Sequence, residues 1–264
     1  MFSVKKRFTF PGGEEHVQIH LNYDRSVTFR IENSPDVMAL FLSLDAAKRA
    51  GSSHINLVLP YIPYARQDRV AVPGEALSIA VFAQLLNTFN LSSVTVWDPH
   101  SDVSTALINN CRVITQAQLI EQWDNKPEFI HHALIVCPDA GARKKTYAVA
   151  KAIGADTIIM ADKHRDTATG ILSSPVVMTM PTPSTSHSPL LIVDDICDGG
   201  GTFIALAGAL KDAGYKGDIN LYVTHGIFSR GIQPLIDAGI SHIYAANIWS
   251  TVSPHEGLTC TIRR

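Results

Sequence analysis

The sequence predicts an α/β protein made of two similar halves, each a mainly parallel sheet flanked by helices. Three observations carry this. Short apolar runs alternate with amphipathic stretches from end to end, several amphipathic stretches close on a glycine, and parts of the first half are echoed in the second. The halves are expected at 1–130 and 131–264, joined near "NKPEFIHH".

In chain order, "HINLVLP", "SSVTVWD", "HALIVCP", "DTIIMAD", "PLLIVDD" and "DINLYVTHG" have the length and apolar density of buried strands. Between them, "PDVMALFLSLDAAKRAG", "EALSIAVFAQLLNTF", "KKTYAVAKAIG", "TFIALAGALKDAG" and "GIQPLIDAG" read as helices, most of them ended by a glycine that suits a left-handed C-terminal cap. The echoes pair "LVLPYIPYAR" (57–66) with "LIVCPDAGAR" (134–143), and "VTVWDPHSDVSTAL" (94–107) with "LIVDDICDGGGTFIAL" (191–206). "PTPSTSHSP" (181–189) has the composition of an exposed loop.

Composition excludes several classes. At 264 residues, 46% hydrophobic and 17% charged, the chain can bury a substantial core. A formal net charge of −2 gives no global attraction to nucleic acid or an anionic membrane, so neither is expected as a partner. No apolar run is long enough to span a bilayer, and "MFSVKKRFTFPGGEE" turns polar too soon for a secretory signal. Cys111, Cys137, Cys197 and Cys260 show no C-x-x-C spacing, which argues against a disulfide framework or thiolate zinc site and for a cytoplasmic protein.

Most of the chemistry-bearing residues directly follow strands, where open parallel sheets gather ligands. In "DDICDGGGT", Gly199, Gly200 and Gly201 let the backbone fold tightly and aim N–H groups at an anion. Thr202 adds a hydroxyl, and the next helix adds the positive end of its dipole. Asp194 and Asp195 are placed to accept hydrogen bonds from vicinal ribose hydroxyls, with Asp198 beside them. There is no Walker lysine and no G-x-G-x-x-G. A plain strand–helix turn would not need three acids and three glycines.

This loop resembles the phosphoribosyl-binding signature of phosphoribosyltransferases and of phosphoribosyl pyrophosphate (PRPP) synthetases. "PYIPYARQDRV" (60–70) separates the two, because it resembles the PY-x-x-YARQDR motif of PRPP synthetases, or ribose-phosphate diphosphokinases. The resemblance implies two type I phosphoribosyltransferase-like domains, the first binding ATP and the second carrying the ribose-phosphate loop. It implies that Arg66 and Gln67, with Asp68, bind ATP. "FPGGE" (10–14) is similar to the family's F-x-D-G-E adenine loop, which crosses a subunit interface; this gives Phe10, Gly12 and Glu14 to ATP and implies a homo-oligomer, dimer or higher. Gly12 stands where the family has aspartate.

"VWDPHSD" resembles the family's D-L-H segment and gives Asp98 and His100 to Mg2+; "CPDAGARKK" gives Asp139 to the same ion. "DKHRD" resembles the family's catalytic loop and gives Lys163 and Arg165 the task of stabilising charge on the transferring group. The implied reaction is diphosphotransfer from Mg-ATP to the C1 hydroxyl of ribose 5-phosphate, with AMP leaving. Gly199 replaces the first threonine of the family's loop, which opens the alternative of a larger ribosyl acceptor such as ADP-ribose. A non-catalytic regulatory homologue and a phosphoribosyltransferase are the remaining alternatives. The chain stops short of the family's C-terminal regulatory segment, so regulation by phosphate or ADP is not expected.

Overall fold

The structure is a computed structural model and describes residues 2–22, 26–162, 176–177 and 187–262. It divides into two compact units, residues 1–115 and 116–264.

In the first unit, β1 (Phe2–Thr9) and β2 (Glu15–Leu21) form an antiparallel hairpin. β3 (Val27–Thr28), α1 (Ser34–Arg49), β4 (Asn56–Leu59), α2 (Ser78–Asn87), β5 (Ser93–Trp97), α3 (Asp102–Leu107) and β6 (Cys111–Ile114) follow. The strands β3-β4-β5-β6 make a parallel sheet in sequence order. α1 starts at an Asn33–Asp36 capping box with a proline in its first turn, so its orphan N–H groups are satisfied locally. Arg7 of the hairpin reaches that same Asp36 at 2.6 Å and Glu15 at 2.7 Å, fixing β1 against the helix start.

The second unit contains α4 (Gln116–Glu121), a 3-10 turn (Glu128–His132), β7 (Leu134–Cys137), α5 (Arg143–Ile153), β8 (Ile158–Asp162), β9 (Val176–Val177) and β10 (Leu190–Cys197). It continues with α6 (Gly201–Asp212), β11 (Ile219–Gly226), α7 (Gln233–Asp237), β12 (Ile240–Ile248) and β13 (Leu258–Cys260). The sheet order is β13-β12-β11-β10-β7-β8-β9, parallel except for the β8–β9 pair.

Side-chain alternation along β10 explains why both sheet faces are dry. Leu190 and Ile192 pack into one cluster with Phe203, Leu206 and Leu210 of α6, while Leu191 and Val193 join Val149, Ala150 and Ile153 of α5. The same alternation carries on into the polar end of the strand, where it decides which helix each aspartate meets.

The two echoes are structural. The first pairs β4 with β7, the second pairs β5 with β10, and in each unit these strands are adjacent and parallel. Several elements differ from expectation. The helix expected over 231–239 contracts to Gln233–Asp237 because Gly231 and Gly239 both take positive φ. β12, nine residues long, was not expected: "ISHIYAANI" carries polar residues among its apolar ones. The hairpin strands β1 and β2 were likewise not legible, being polar and exposed along most of their length, with only Phe2 buried. No described helix is long and apolar enough to cross a membrane.

Candidate active site

In the second unit the acidic pair sits at the carboxyl end of β10. Asp195 is buried, and its odd-numbered register turns it to the α5 face, where Lys145 Nζ lies 3.4 Å from its Oδ2. Asp194 accepts a hydrogen bond on Oδ1 from the Asp195 N–H at 2.9 Å. Burial, then the charge of Asp195 and that of Asp139, hold the Asp194 carboxyl well above the usual carboxylate range. Beneath the pair, the buried Gln116 donates through Nε2 to the Asp194 carbonyl at 2.5 Å and to Thr224 Oγ1 at 3.2 Å.

The glycine loop follows. Gly200 has φ +76°, and a Cβ there would lie 3.0 Å from Leu235 Cδ2, so a side chain at this position is strained and crowds Leu235. Its carbonyl accepts from the N–H groups of Phe203 and Ile204 at 3.0 Å, which starts α6 directly off the loop. The N–H groups that open a helix have no acceptor within it, so this end presents donors and a positive dipole to an anion.

The segment after β11 is tied alongside. The Cys197 carbonyl accepts from the N–H groups of Ile227 (2.9 Å) and Phe228 (3.1 Å), and the Asp198 carbonyl from Ser229 (3.2 Å). That segment brings Arg230 against Gly199: a Cβ built on Gly199 would lie 3.5 Å from Arg230 Nε and 3.6 Å from its Cδ. The space left by the missing side chain at 199 is therefore bordered by a cationic side chain. Asp139, just after β7, accepts on Oδ1 from the Ala142 N–H at 3.1 Å and is half-buried.

In the first unit the expected ATP residues are on two loops. Phe10, Gly12 and Glu14 form the exposed tip of the β1–β2 hairpin, closed by Phe10 N–H to Glu14 carbonyl and Gly13 N–H to Phe10 carbonyl, both 2.8 Å. Phe10 is 46% exposed, and its ring meets that of Phe8 edge-on with centroids 4.8 Å apart. Arg66, Gln67 and Asp68 follow β4, and the two prolines and Tyr64 brace them: Tyr64 takes φ 62°, and its carbonyl accepts from the Gln67 N–H at 2.9 Å. Asp98 and His100 follow the neighbouring β5. Asp98 is buried at φ 37°, while His100 is exposed. Tyr64, Asp98 and Phe228 are non-glycine residues at positive φ just beyond strand ends, the kind of local strain that concentrates at functional sites.

Thus Asp194, Asp195, Asp198, Gly199, Gly200, Gly201 and Thr202 form one continuous strand–loop–helix element. Lys163 and Arg165 lie outside the described residues. Among the described residues no three His, Cys, Asp or Glu side chains gather as a metal cage. The residues present fit a magnesium ion of another kind, one that keeps its waters and substrate oxygens and takes one or two carboxylates. The observation behind that fit is the adjacency of Asp194 and Asp195 at the end of β10, with Asp139 just beyond β7: a divalent cation would offset acidic charge gathered there.

Sequence reasoning missed Lys145, Gln116 and Arg230. Lys145 was legible as the third cation of "ARKK", one helical turn into α5, whereas the exposed Arg143 beside it has no visible role. Gln116 and Arg230 depend on long-range register that no local pattern carries.

Residues 5–89 match the family described as the N-terminal domain of ribose phosphate pyrophosphokinase, and residues 107–239 match the phosphoribosyl transferase domain family. A ribose-phosphate pyrophosphokinase of Vibrio cholerae is 32% identical over 230 residues, covering 83% of this chain and 70% of that protein. One from Thermococcus kodakarensis is 29% identical over 243 residues, covering 90% and 83%. The crystal structure of phosphoribosylpyrophosphate synthetase from Mycobacterium smegmatis superposes with a TM-score of 0.76 at 21% identity, over 98% of this chain and 85% of that one. With both domain families matched in order along a chain folded this way, the protein belongs to the ribose-phosphate pyrophosphokinase family.

Proposed function

We propose that the protein transfers the diphosphate of Mg-ATP to the C1 hydroxyl of ribose 5-phosphate, giving 5-phosphoribosyl 1-diphosphate and AMP. The observation that carries this is the Asp194–Asp195 pair set directly before a glycine loop that opens α6. The pair suits a vicinal diol and the loop suits a phosphate, so together they suit the two ends of a ribose phosphate.

In this reading Asp194 and Asp195 accept hydrogen bonds from the ribose hydroxyls and orient C1, while residues 198–202 hold the 5-phosphate. Arg66, Gln67 and Asp68 bind ATP, and Phe10, Gly12 and Glu14 contact the adenine of a neighbouring subunit in a homo-oligomer. The exposure of Phe10 at a hairpin tip supports that role. Lys163 and Arg165 stabilise charge on the transferring group. Asp98 and His100 of the first unit and Asp139 of the second are each assigned to magnesium, which when bound would neutralise phosphate charge. Transfer of this kind is served by positioning and charge neutralisation more than by covalent help from the protein. The diphosphate bond to AMP breaks as the C1 oxygen bonds the β-phosphorus, and the C1 hydroxyl proton is released.

The test is to incubate the protein with Mg-ATP and ribose 5-phosphate, ribose and ADP-ribose, and to identify products by mass. Equimolar AMP and 5-phosphoribosyl 1-diphosphate from ribose 5-phosphate is the expected result. No AMP with any acceptor would sink the proposal, and turnover of ADP-ribose alone would redirect it to the larger acceptor.

A further inference from the structure

We propose that Arg230, lying against the bare Cα of Gly199, is the cation that reads the 5-phosphate of the acceptor, an inference that rests on the diphosphotransfer reading of the same loop.

The electrostatics of the loop call for such a group. Its backbone N–H donors are neutral, whereas Asp194, Asp195 and Asp198 place three acidic residues within five positions of one strand end. Two like unit charges about 5 Å apart at an effective dielectric near 20 repel by roughly 3 kcal/mol. A phosphate dianion entering beside these carboxylates is therefore disfavoured unless a cation is near. Lys145 is already turned to Asp195 on the other face of the sheet.

Arg230 answers the need in position and in chemistry. Its Nε and Cδ run 3.5 and 3.6 Å from where a Gly199 Cβ would stand, so the side chain borders the loop where it turns. Among the described residues it forms no ion pair, leaving its guanidinium donors for a ligand. Its backbone is not adrift: the neighbouring Ser229 N–H bonds the Asp198 carbonyl at 3.2 Å, and the Gly231 N–H bonds the Phe228 carbonyl at 2.8 Å. The buried Phe228 ring anchors the same turn. A planar guanidinium offers two parallel N–H bonds to phosphate oxygens, which a hydroxyl cannot. Gly199 and Arg230 thus act as a pair, in which a branched side chain at 199 would intrude on the volume that the arginine uses. The pair selects for an anionic 5-substituent, and a neutral ribosyl acceptor would gain nothing from it.

The experiment separates this claim from the reaction itself. Binding of ribose 5-phosphate is measured by calorimetry, with and without a non-transferable Mg-ATP analogue, for the wild type, Arg230→Ala and Arg230→Lys. Loss of a hydrogen bond to a charged group predicts that Arg230→Ala weakens binding about 10- to 100-fold, with Arg230→Lys between the two. The melting temperature should not move, because the side chain is exposed. If Arg230→Ala binds ribose 5-phosphate within about twofold of the wild type, or if the wild type does not bind it, the inference is overturned. Release of AMP is scored separately: its absence in a wild type whose binding depends on Arg230 defeats the diphosphotransfer reading and leaves the anion subsite standing.

Discussion

Lys145 Nζ stands 3.4 Å from Asp195 Oδ2, joining the first turns of α5 to the acidic end of β10. The contact follows from register: Leu191, Val193 and Asp195 share the face that α5 covers, so the strand's alternation delivers the third of them to a helical lysine. Loss of that cation should matter to chemistry, because it offsets one of two neighbouring negative charges. Lys145→Ala is expected to lower kcat/KM by about tenfold or more, with Lys145→Arg retaining most of it. The acidic limb of the pH–rate profile should move to higher pH, since removing a nearby cation raises carboxylate pKa values. A fall in melting temperature with no movement of that limb would count against a role at the site.

The raised Asp194 carboxyl gives a signed stability prediction. Its folded pKa lies above the unfolded value, so the ionised form is the one the fold disfavours. The contribution is favourable below the unfolded carboxylate pKa and is lost as pH rises through the folded one. Asp194→Asn keeps an acceptor for the Asp195 N–H and removes the charge. It should melt above the wild type at pH 7, with the gain shrinking as pH falls towards 4, while transfer activity is lost. Scanning calorimetry across that range provides the check; a variant that melts lower at pH 7 would contradict it.

Gly200 disfavours a side chain on two counts, φ +76° and the 3.0 Å approach to Leu235 Cδ2. Gly200→Ala should cost about 1–3 kcal/mol of stability through backbone strain, and should weaken ribose 5-phosphate binding by reshaping the loop. Gly201→Ala makes the matched comparison, because a Cβ at 201 meets nothing within 4 Å and needs no positive φ. Urea unfolding of the two variants should separate them; equal losses would show that the loop's geometry is not set at 200.

Tyr215 anchors the approach to β10 from below. Its hydroxyl donates to the Ser188 carbonyl at 2.5 Å and lies 3.2 Å from the Asp218 carbonyl, and burial with the Asp218 charge pushes its pKa up to about 12. Tyr215→Phe should destabilise the protein by about 1 kcal/mol, the net value of one lost hydrogen bond, since the Asp218 carbonyl keeps the Leu190 N–H at 2.8 Å and only the bond to Ser188 is given up. Catalysis should be unaffected, because the residue is at the strand end away from the loop. Denaturant titration and an AMP-release assay test the two halves of this statement.

How much of this was legible beforehand depends on the range of the interaction. Leu190, Ile192 and their neighbours announce a buried parallel strand by composition alone, and Gly199–Thr202 announce an anion loop by chemistry alone. The two echoes could also be read, because each repeats one local grammar of strand and turn; that the echoed strands lie side by side, β4 with β5 and β7 with β10, is a finding of the structure. β12 could not be read: its buried Tyr244 and Ala245 sit in a run that also holds His242 and Asn247, and the partner of His242 is Thr259 of β13, 2.9 Å away and seventeen residues on. Arg230 was hidden for the same reason. In sequence it is one exposed arginine, and only the hydrogen bonds from 227–229 to the Cys197 and Asp198 carbonyls bring it to the glycine loop.

The position of β10 also has a consequence in time. It is the strand through which β11 on one side and β7 on the other are joined, yet its two pairings close very different lengths of chain. Leu190 meets Ile219 after a single helix, whereas Leu190 meets Leu134 only after α5, β8 and the whole stretch that follows them. Loop closure makes the nearer pairing faster. The β10–α6–β11 unit, which holds the glycine loop, should therefore gain amide protection first during refolding. β7, with Asp139 beyond it, should dock afterwards, so that the acceptor loop is built before that carboxylate joins it.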